Sequence, residues 1–316
     1  MSCIDVVIVS FNVRDLLEGC LSSLRMHDGH ELRVWVVDNA STDGTCEMVR
    51  NRFWDVRLLE LSENVGFAAG INAALRNVDA EYVVLLNPDT VVPPRALETM
   101  VAFLAGHPRV GAVGPRLISP DGSAQTSYRR FPTLRSVARS LVLRDPVIAL
   151  AVESPHPVDY VVGACIATRR DVLESVGLLD EGFFLYSEEV EWCWRVWRSG
   201  RQVWHLPSAV VTHVSGASAE TRDGCEIVRG GLMLHHFYRS EFLYFMKTSG
   251  RRVALAAYMI RWLGLVVGVV KRTVKGDRSG ACDRWRALGV LYSIGAFGLL
   301  RLHPRRNVRC GTDAGS

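Results

Sequence analysis

The eight cysteines of this 316-residue chain form no C-x-x-C pair and show no metal-type spacing. A structural zinc site is therefore not expected, and the scattered thiols read as reduced, as in a cytosolic protein. No G-x-x-x-x-G-K-[ST] loop is present, and no G-x-G-x-x-G follows the first strand-like run. A P-loop NTPase is thereby excluded and a Rossmann dinucleotide fold disfavoured. The segment after that run, Ser10-Phe11-Asn12-Val13-Arg14-Asp15, has no glycine-rich basic loop for a nucleoside triphosphate. That argues against a sugar nucleotidyltransferase. There are no repeats and no low-complexity tract. No secretory signal is expected, because residues 6–12, VVIVSFN, already read as the first strand.

What is present suits a globular enzyme with a large core: 48% hydrophobic and 22% charged residues. The length fits one large or two modest domains. The net charge of +4 hides an asymmetry. Residues 1–225 carry 21 Lys/Arg against 28 Asp/Glu, a net −7, whereas residues 226–316 carry 16 against 5, a net +11. A basic tail on an acidic body suggests an anionic partner surface, membrane or nucleic acid. Val253–Val270 is apolar apart from Arg261, and Ala287–Leu300 is a second apolar run. So greasy a tail favours a membrane and argues against nucleic acid. Two core helices are the plain alternative. A central Arg costs about 2.5–3.5 kcal/mol on insertion scales. The favoured reading is helices lying in the interface, basic residues on headgroups, with a span as the alternative.

Residues 4–115 alternate between two periods. Val6–Ser10, Val34–Val37, Val56–Leu61 and Tyr82–Leu86 read as buried strands. Asp15–Arg25, Thr45–Phe53, Phe67–Arg76 and Arg95–Ala105 read as helices. Continuous apolar strands separated by helices imply a mostly parallel sheet covered on both faces. Residues 116–158 read as an irregular surface excursion containing Tyr128-Arg129-Arg130. Beyond it come a strand at Tyr160–Thr168, helices at Arg170–Val176 and Glu188–Ser199, and a short strand at Gln202–Leu206.

Four clusters carry chemistry. Tyr82–Leu86 ends in Asn87-Pro88-Asp89, so a buried strand delivers a carboxylate to the sheet's carboxyl edge, where open α/β sheets bind ligands. A turn Asp is the bland reading; a divalent metal holding a diphosphate is the functional one. VDNASTDGT (37–45) follows the second strand, and its polar residues serve either a helix cap or a nucleotide. ENVGFAAGINAAL (63–75) opens a helix with Gly66 and Gly70, where a backbone free of side chains can approach a phosphate. DEGFFLYSEEVEWCWRVWRSG (180–200) sets Glu188, Glu189 and Glu191 among aromatic residues. That suits either a solvated acidic helix start or a sugar cleft with a general base. His213 becomes a metal ligand only if the fold brings it to Asp89.

In this order the motifs resemble the family 2 glycosyltransferases, inverting enzymes of the GT-A fold, and most of all the bacterial rhamnosyltransferases of cell-wall and O-antigen assembly. The resemblance covers about residues 4–220. It rests on SFN (10–12), VDNASTDGT (37–45), NVGFAAGIN (64–72), LLNPDT (85–90), GPRL (114–117), VVGACIATRR (161–170), GLLDEGFFLYSEEVEWCWR (177–195) and THVSGAS (212–218). It implies a GT-A catalytic domain at 1–225; the basic, apolar helical region expected at 226–316, on the cytoplasmic face of the membrane, rests on the tail's composition and on analogy with enzymes that meet polyprenyl-linked sugars there. It implies contacts to a nucleotide-diphosphate sugar from Ser10, Asn12, Asp38, Asn39, Asn64, Gly66, Asn72 and Asn87. It implies a sugar or acceptor pocket at Gly163, Ala164, Tyr186, Trp192 and Arg195. Asn87-Pro88-Asp89 stands where the family has its DxD motif, so Asp89 carries the carboxylate contact to Mg²⁺ or Mn²⁺, with His213 as second ligand. The base falls on Glu189, with Glu188 the alternative; many relatives have Asp at that position. The implied acceptor is a polyprenyl-diphosphate-linked saccharide. The resemblance leaves open a donor sugar other than L-rhamnose, and a homologue that binds nucleotide sugar without turnover.

Overall fold

The computed structural model describes residues 3–26, 31–141, 152–214 and 231–301. Strands β1 (Ile4–Ser10), β2 (Leu32–Asp38), β3 (Arg57–Glu60) and β4 (Tyr82–Leu86) run parallel in the order β3-β2-β1-β4. Helices α1 (Arg14–Leu24), α2 (Thr45–Arg52) and α3 (Phe67–Leu75) connect them. All seven residues of β1 are buried because both sheet faces are covered. Val7 and Val9 pack with Ala68 and Ile71 of α3, whereas Ile4, Val6 and Ile8 pack with Leu17 and Leu21 of α1. Each of these Val, Ile and Leu side chains contributes about 1.5–3 kcal/mol by burial. A run buried on both faces needs helices on both, as in parallel sheets.

The sheet then departs from the sequence reading. After β5 (Thr90–Val91) and α4 (Ala96–Gly106) comes β6 (Val110–Ile118), a nine-residue strand between two neighbours that the sequence reading did not single out and whose last three residues it placed in the surface excursion. Gly111, Gly114 and Pro115 weaken its strand signature. The glycines are needed sterically. A Cβ on Gly114 would lie 2.6 Å from the Val161 Cβ, and one on Gly111 would lie 2.6 Å from a Val196 methyl. Next come β7 (Tyr128–Arg129), α5 (Leu134–Ser140) and β8 (His156–Pro157). The run Tyr160–Thr168 is two strands, β9 (Tyr160–Val161) and β10 (Cys165–Arg169), separated at Gly163.

β10 lies antiparallel between β4 and β6. Its amino end therefore meets the carboxyl end of β4, with Cys165 opposite Leu86. Helices α6 (Arg170–Val176) and α7 (Glu188–Arg198) follow. The expected short strand is β11 (Gln202–His213), which passes Pro207 through a register shift between Leu206 and Val210. β11 is parallel to β6 and antiparallel to β5, with His213 opposite Thr90. His213 thus ends the strand beside the Asp89 turn.

Three further helices lie among the described residues: α8 (Gly231–Thr248), α9 (Arg251–Val274) and α10 (Arg278–Arg301). The boundary expected at 225/226 lies outside the described residues. α8 belongs to the main core, since Phe242, Leu243, Tyr244 and Phe245 pack with α3 and α7 residues, joined by Ala254 and Ala257 of α9. The later part of α9 forms its own cluster, Leu265 and Val269 with Leu288, Leu291 and Ile294 of α10. The six cysteines among the described residues are free thiols.

Candidate active site

Strand direction brings distant residues to one edge. Ser10 ends β1 opposite Asp38 at the end of β2. The Asn87 amide donates to the Ala164 carbonyl at 2.9 Å, which ties the end of β4 to the start of β10. Ser10, Asp38, Asn87, Gly163 and Ala164 therefore share the carboxyl edge. Asp38 Oδ2 accepts the Ser41 amide at 2.8 Å, whereas Asp38 Oδ1 and Ser10 Oγ are buried with no hydrogen-bond partner. An unmet buried polar atom costs about 1–3 kcal/mol, and its presence in a native site calls for a ligand or water.

Asn12 holds a positive φ of 53° and accepts the Thr42 amide through Oδ1 at 2.8 Å. It braces the 37–45 loop against the first strand. Asn39 and Asn72 correct the sequence expectation. Asn39 Oδ1 accepts the Val65 amide and its Nδ2 donates to the Gly66 carbonyl. Asn72 exchanges hydrogen bonds with the Leu179 backbone and also donates to Glu181. Both side chains are buried and committed to protein partners, so they position loops and do not reach a nucleotide. Asn64 Oδ1 likewise takes the Gly66 amide at 3.0 Å.

Gly66 is also corrected. The Val65, Gly66 and Phe67 amides donate to Asn39, Asn64 and the Phe184 carbonyl, so they are not a phosphate cradle. The glycine is a close-approach joint. Its φ is 88° with ψ 174°, and a Cβ there would lie 2.5 Å from the Phe184 carbonyl oxygen. That conformation is almost exclusive to glycine and costs other residues about 1–3 kcal/mol. The joint couples the 63–66 loop to the acid-bearing loop. Gly66→Ala is expected to lower the unfolding midpoint and weaken nucleotide-diphosphate binding together. A thermal melt with calorimetric titration checks this, and wild-type values for both would refute the coupling.

Asp89 and His213 meet, with Oδ2 3.3 Å from Nε2 and both side chains mostly buried. Two ligands on one small divalent cation, each at about 2.0–2.1 Å, stand about 3 Å apart at a right angle. The oxygen–imidazole donor set suits Mg²⁺ or Mn²⁺. The pair therefore fits a metal. Among the described residues no group of three or more His, Cys, Asp or Glu is placed to hold one. The remaining positions would fall to phosphate oxygens and water, as Mg²⁺ prefers.

The acids sit on a strained entry. Tyr186 and Ser187 both adopt left-handed backbone, φ 71° and 67°, immediately before α7. This turn sets Glu188 and Glu189 at the helix start. Glu188 is 6% exposed, and burial together with the Glu189 charge drives its carboxyl well above the usual range. Glu189 is raised by burial as well, offset by backbone N–H groups and the Arg129 charge. Each has a buried Oε2 with no hydrogen-bond partner. Glu189 is the more open of the two and lies against Gly163, where a Cβ would be 3.5 Å from its Cγ. Standing side by side, the two acids release their protons as a pair, and burial holds both above the usual carboxylate range.

Trp192 and Arg195 correct the expected sugar pocket. Trp192 is fully buried and its indole donates to the Gly177 carbonyl at 2.9 Å. Arg195 pairs with both Glu191 oxygens and donates to the Val176 and Leu178 carbonyls at 2.7 Å. Together they pin the 176–178 turn to α7. Glu191 is thereby spent as a structural partner. Tyr186 stays half-buried beside Phe237, at a ring separation of 6.3 Å. The sequence reading missed Phe184 and Gln125. Phe184 follows Phe183 without any spacing to mark it. Gln125, in the supposed surface excursion, contacts the His213 ring at 3.1 Å.

Known proteins resemble this chain in sequence and in fold. The sequence profile described as glycosyl transferase family 2 matches residues 5–177. An N-acetylglucosaminyl-diphospho-decaprenol L-rhamnosyltransferase of Mycobacterium tuberculosis is 32% identical over 229 residues, 66% of this chain and 75% of the relative. An O-antigen biosynthesis protein of Myxococcus xanthus is 29% identical over 227 residues, 67% of this chain and 17% of that longer protein. A mannosyltransferase from Pyrobaculum calidifontis, solved with GDP-Man and Mn²⁺, superposes with a TM-score of 0.56 at 20% identity, covering 93% of this chain and 87% of the other. The fold is that of GT-A glycosyltransferases, and the chain belongs to glycosyl transferase family 2.

Proposed function

We propose that this enzyme transfers a sugar, L-rhamnose from dTDP-rhamnose, to a hydroxyl of a polyprenyl-diphosphate-linked saccharide, with inversion. The observation that carries the reading is that one sheet edge holds the Asp89–His213 pair and, against Gly163 next to the Ala164 carbonyl that binds the Asn87 amide, the buried acid Glu189. The choice of sugar and acceptor rests on the mycobacterial relative. Glu189 removes the proton from the acceptor hydroxyl. The oxygen attacks the anomeric carbon opposite the departing nucleotide diphosphate, and the bond to that leaving group breaks in the same step. Mg²⁺ or Mn²⁺ on Asp89 and His213 would neutralise the leaving charge as a Lewis acid. Ser10 and Asp38, with unmet buried atoms, face the nucleotide. Glu188 is buried beside the base, and burial holds both carboxyls above the usual range. An inverting glycosidase instead uses two carboxyls about 6.5–9.5 Å apart around a water.

The function is tested by transfer from labelled dTDP-rhamnose, UDP-sugars and GDP-sugars to polyprenyl-diphosphate-N-acetylglucosamine. Transfer from dTDP-rhamnose alone is expected. Transfer from a UDP- or GDP-sugar instead would replace the donor, and none at all would reject the acceptor.

The tail suits a membrane surface at the cytoplasmic face. α9 is long and apolar enough to cross a bilayer. Its packing favours lying flat. Arg261, in its middle, grips Glu241 through two hydrogen bonds and Ser140 through a third. Spanning would tear α9 from that network and from the core held by Ala254 and Ala257. Met259, Leu263, Val267, Val270 and Val274 are exposed at spacings of three and four, forming one stripe. Arg251, Arg252, Lys271 and Lys275 are exposed near its ends. An apolar stripe with flanking cations describes an interfacial helix on anionic lipid. Leu263→Glu with Val270→Glu, at sites 58% and 57% exposed, is expected to abolish flotation with phosphatidylglycerol vesicles. Nucleotide-diphosphate binding and thermal midpoint should hold. Unchanged flotation would remove the stripe from the membrane.

A further inference from the structure

We propose that Gln125 is a positioning residue for the metal site: it fixes the His213 tautomer and so makes Nε2 the ligand atom. The inference rests on the Asp89–His213 reading above. Gln125 is 6% exposed and makes three side-chain contacts. Its Nε2 donates to the His213 carbonyl and to Ser119 Oγ, both at 2.9 Å. Its Oε1 lies 3.1 Å from His213 Nδ1. The orientation of the amide is forced. A backbone carbonyl has no proton to give, so the Gln125 atom facing it must be the nitrogen. Oε1 then faces the imidazole, and an amide oxygen only accepts. Nδ1 must therefore carry hydrogen, and Nε2, 3.3 Å from Asp89, is the nitrogen left to bind a cation.

The backbone explains why Gln125 can act at this distance in sequence. Its amide donates to the Leu117 carbonyl at 2.9 Å, and Leu117 stands opposite Val211 of β11. The 119–125 turn is thus stitched to the strand that bears His213. Outer-shell partners of a metal-binding His fix its tautomer and orientation, and their loss costs about 10–100-fold in metal affinity.

The test is Mn²⁺ binding to the full chain, followed by the electron paramagnetic resonance of the free ion, with thermal melts to establish folding. Gln125→Leu, which removes the acceptor, is expected to weaken Mn²⁺ by about 10–100-fold. Gln125→Asn, one methylene too short, should weaken it similarly and serves if the Leu variant does not fold. Gln125→Glu keeps an acceptor for the Nδ1 proton and loses the donor to the His213 carbonyl, so it should retain clearly more Mn²⁺ affinity than Leu or Asn. Folded Leu and Asn variants with wild-type affinity would overturn the proposal. So would equal losses in Leu, Asn and Glu, which would make Gln125 a mere strap. Failure of the underlying site looks different: the wild type binds no Mn²⁺, or Asp89→Ala and His213→Ala bind it undiminished, and the proposal falls with it.

Discussion

Glu189→Gln is expected to lower kcat by about 10²–10⁴-fold, the usual contribution of a positioned general base, and to raise thermal stability at neutral pH. The first effect follows from chemistry. An amide cannot take the acceptor proton, and the interaction is made only as the proton moves. kcat and kcat/KM should therefore fall together with donor binding intact. The second effect follows from burial. Folding places Glu188 and Glu189 side by side, and both carboxyls are raised. A group raised on folding contributes stability that is full below its unfolded pKa, about 4.3 for Glu. That contribution is lost as pH climbs through the folded value. Wild type thus loses stability between about pH 4 and the raised folded pKa values. The Gln variant carries one fewer buried charge and relieves Glu188 of its nearest repulsion. Its advantage should be absent near pH 4 and grow towards pH 8. Melts across that range, paired with turnover, check both halves. A variant less stable than wild type at pH 8, or one that turns over normally, would return Glu189 to an ordinary helix-start acid.

The same physics explains what the sequence could and could not disclose. β1, β2 and β4 were legible because a strand buried on both faces is an unbroken apolar run, as Tyr82–Leu86 is. β6 and the second half of β11 were not, because Gly111, Gly114, Pro115 and Pro207 sit where backbones crowd or a strand bulges. At those positions tertiary contact overrides local preference. The site divides similarly. Asp89, Glu188 and Glu189 stand out as acids at the ends of apolar or aromatic runs. Trp192 and Arg195 share that neighbourhood but face the 176–178 turn, and helical phase alone does not separate a pocket aromatic from a core one. Asn39, Asn64 and Asn72 sit in the same motifs but serve as braces between loops. Gln125 could not be read at all. It is 88 residues from His213, and only the β6–β11 pairing brings the two together.

Asp89→Ala is the second large effect expected: a loss of transfer of about 10³-fold or more, since metal neutralisation of a leaving group is worth several kcal/mol and each 1.36 kcal/mol is tenfold. The fold should survive the change. The turn that carries Asp89 is held by its backbone, with the Asp89 carbonyl accepting the Val214 amide at 2.7 Å and Thr90 Oγ1 donating to the Asn87 carbonyl at 2.8 Å. His213 keeps Gln125 on its other face. A loss of activity in a folded variant would thus report on charge and coordination. Asp89→Asn sharpens the point by keeping the shape and one oxygen while removing the charge. It should fall between wild type and Ala. A chelator should stop the wild type, and added Mg²⁺ or Mn²⁺ should restore it while leaving Asp89→Ala inactive. Near-normal turnover in Asp89→Ala, or wild-type activity indifferent to chelator, would move the leaving-group charge onto protein cations. Arg129, whose charge already acts on Glu189, is the side chain to substitute next in that case, and Arg129→Met should then abolish what Asp89→Ala spares.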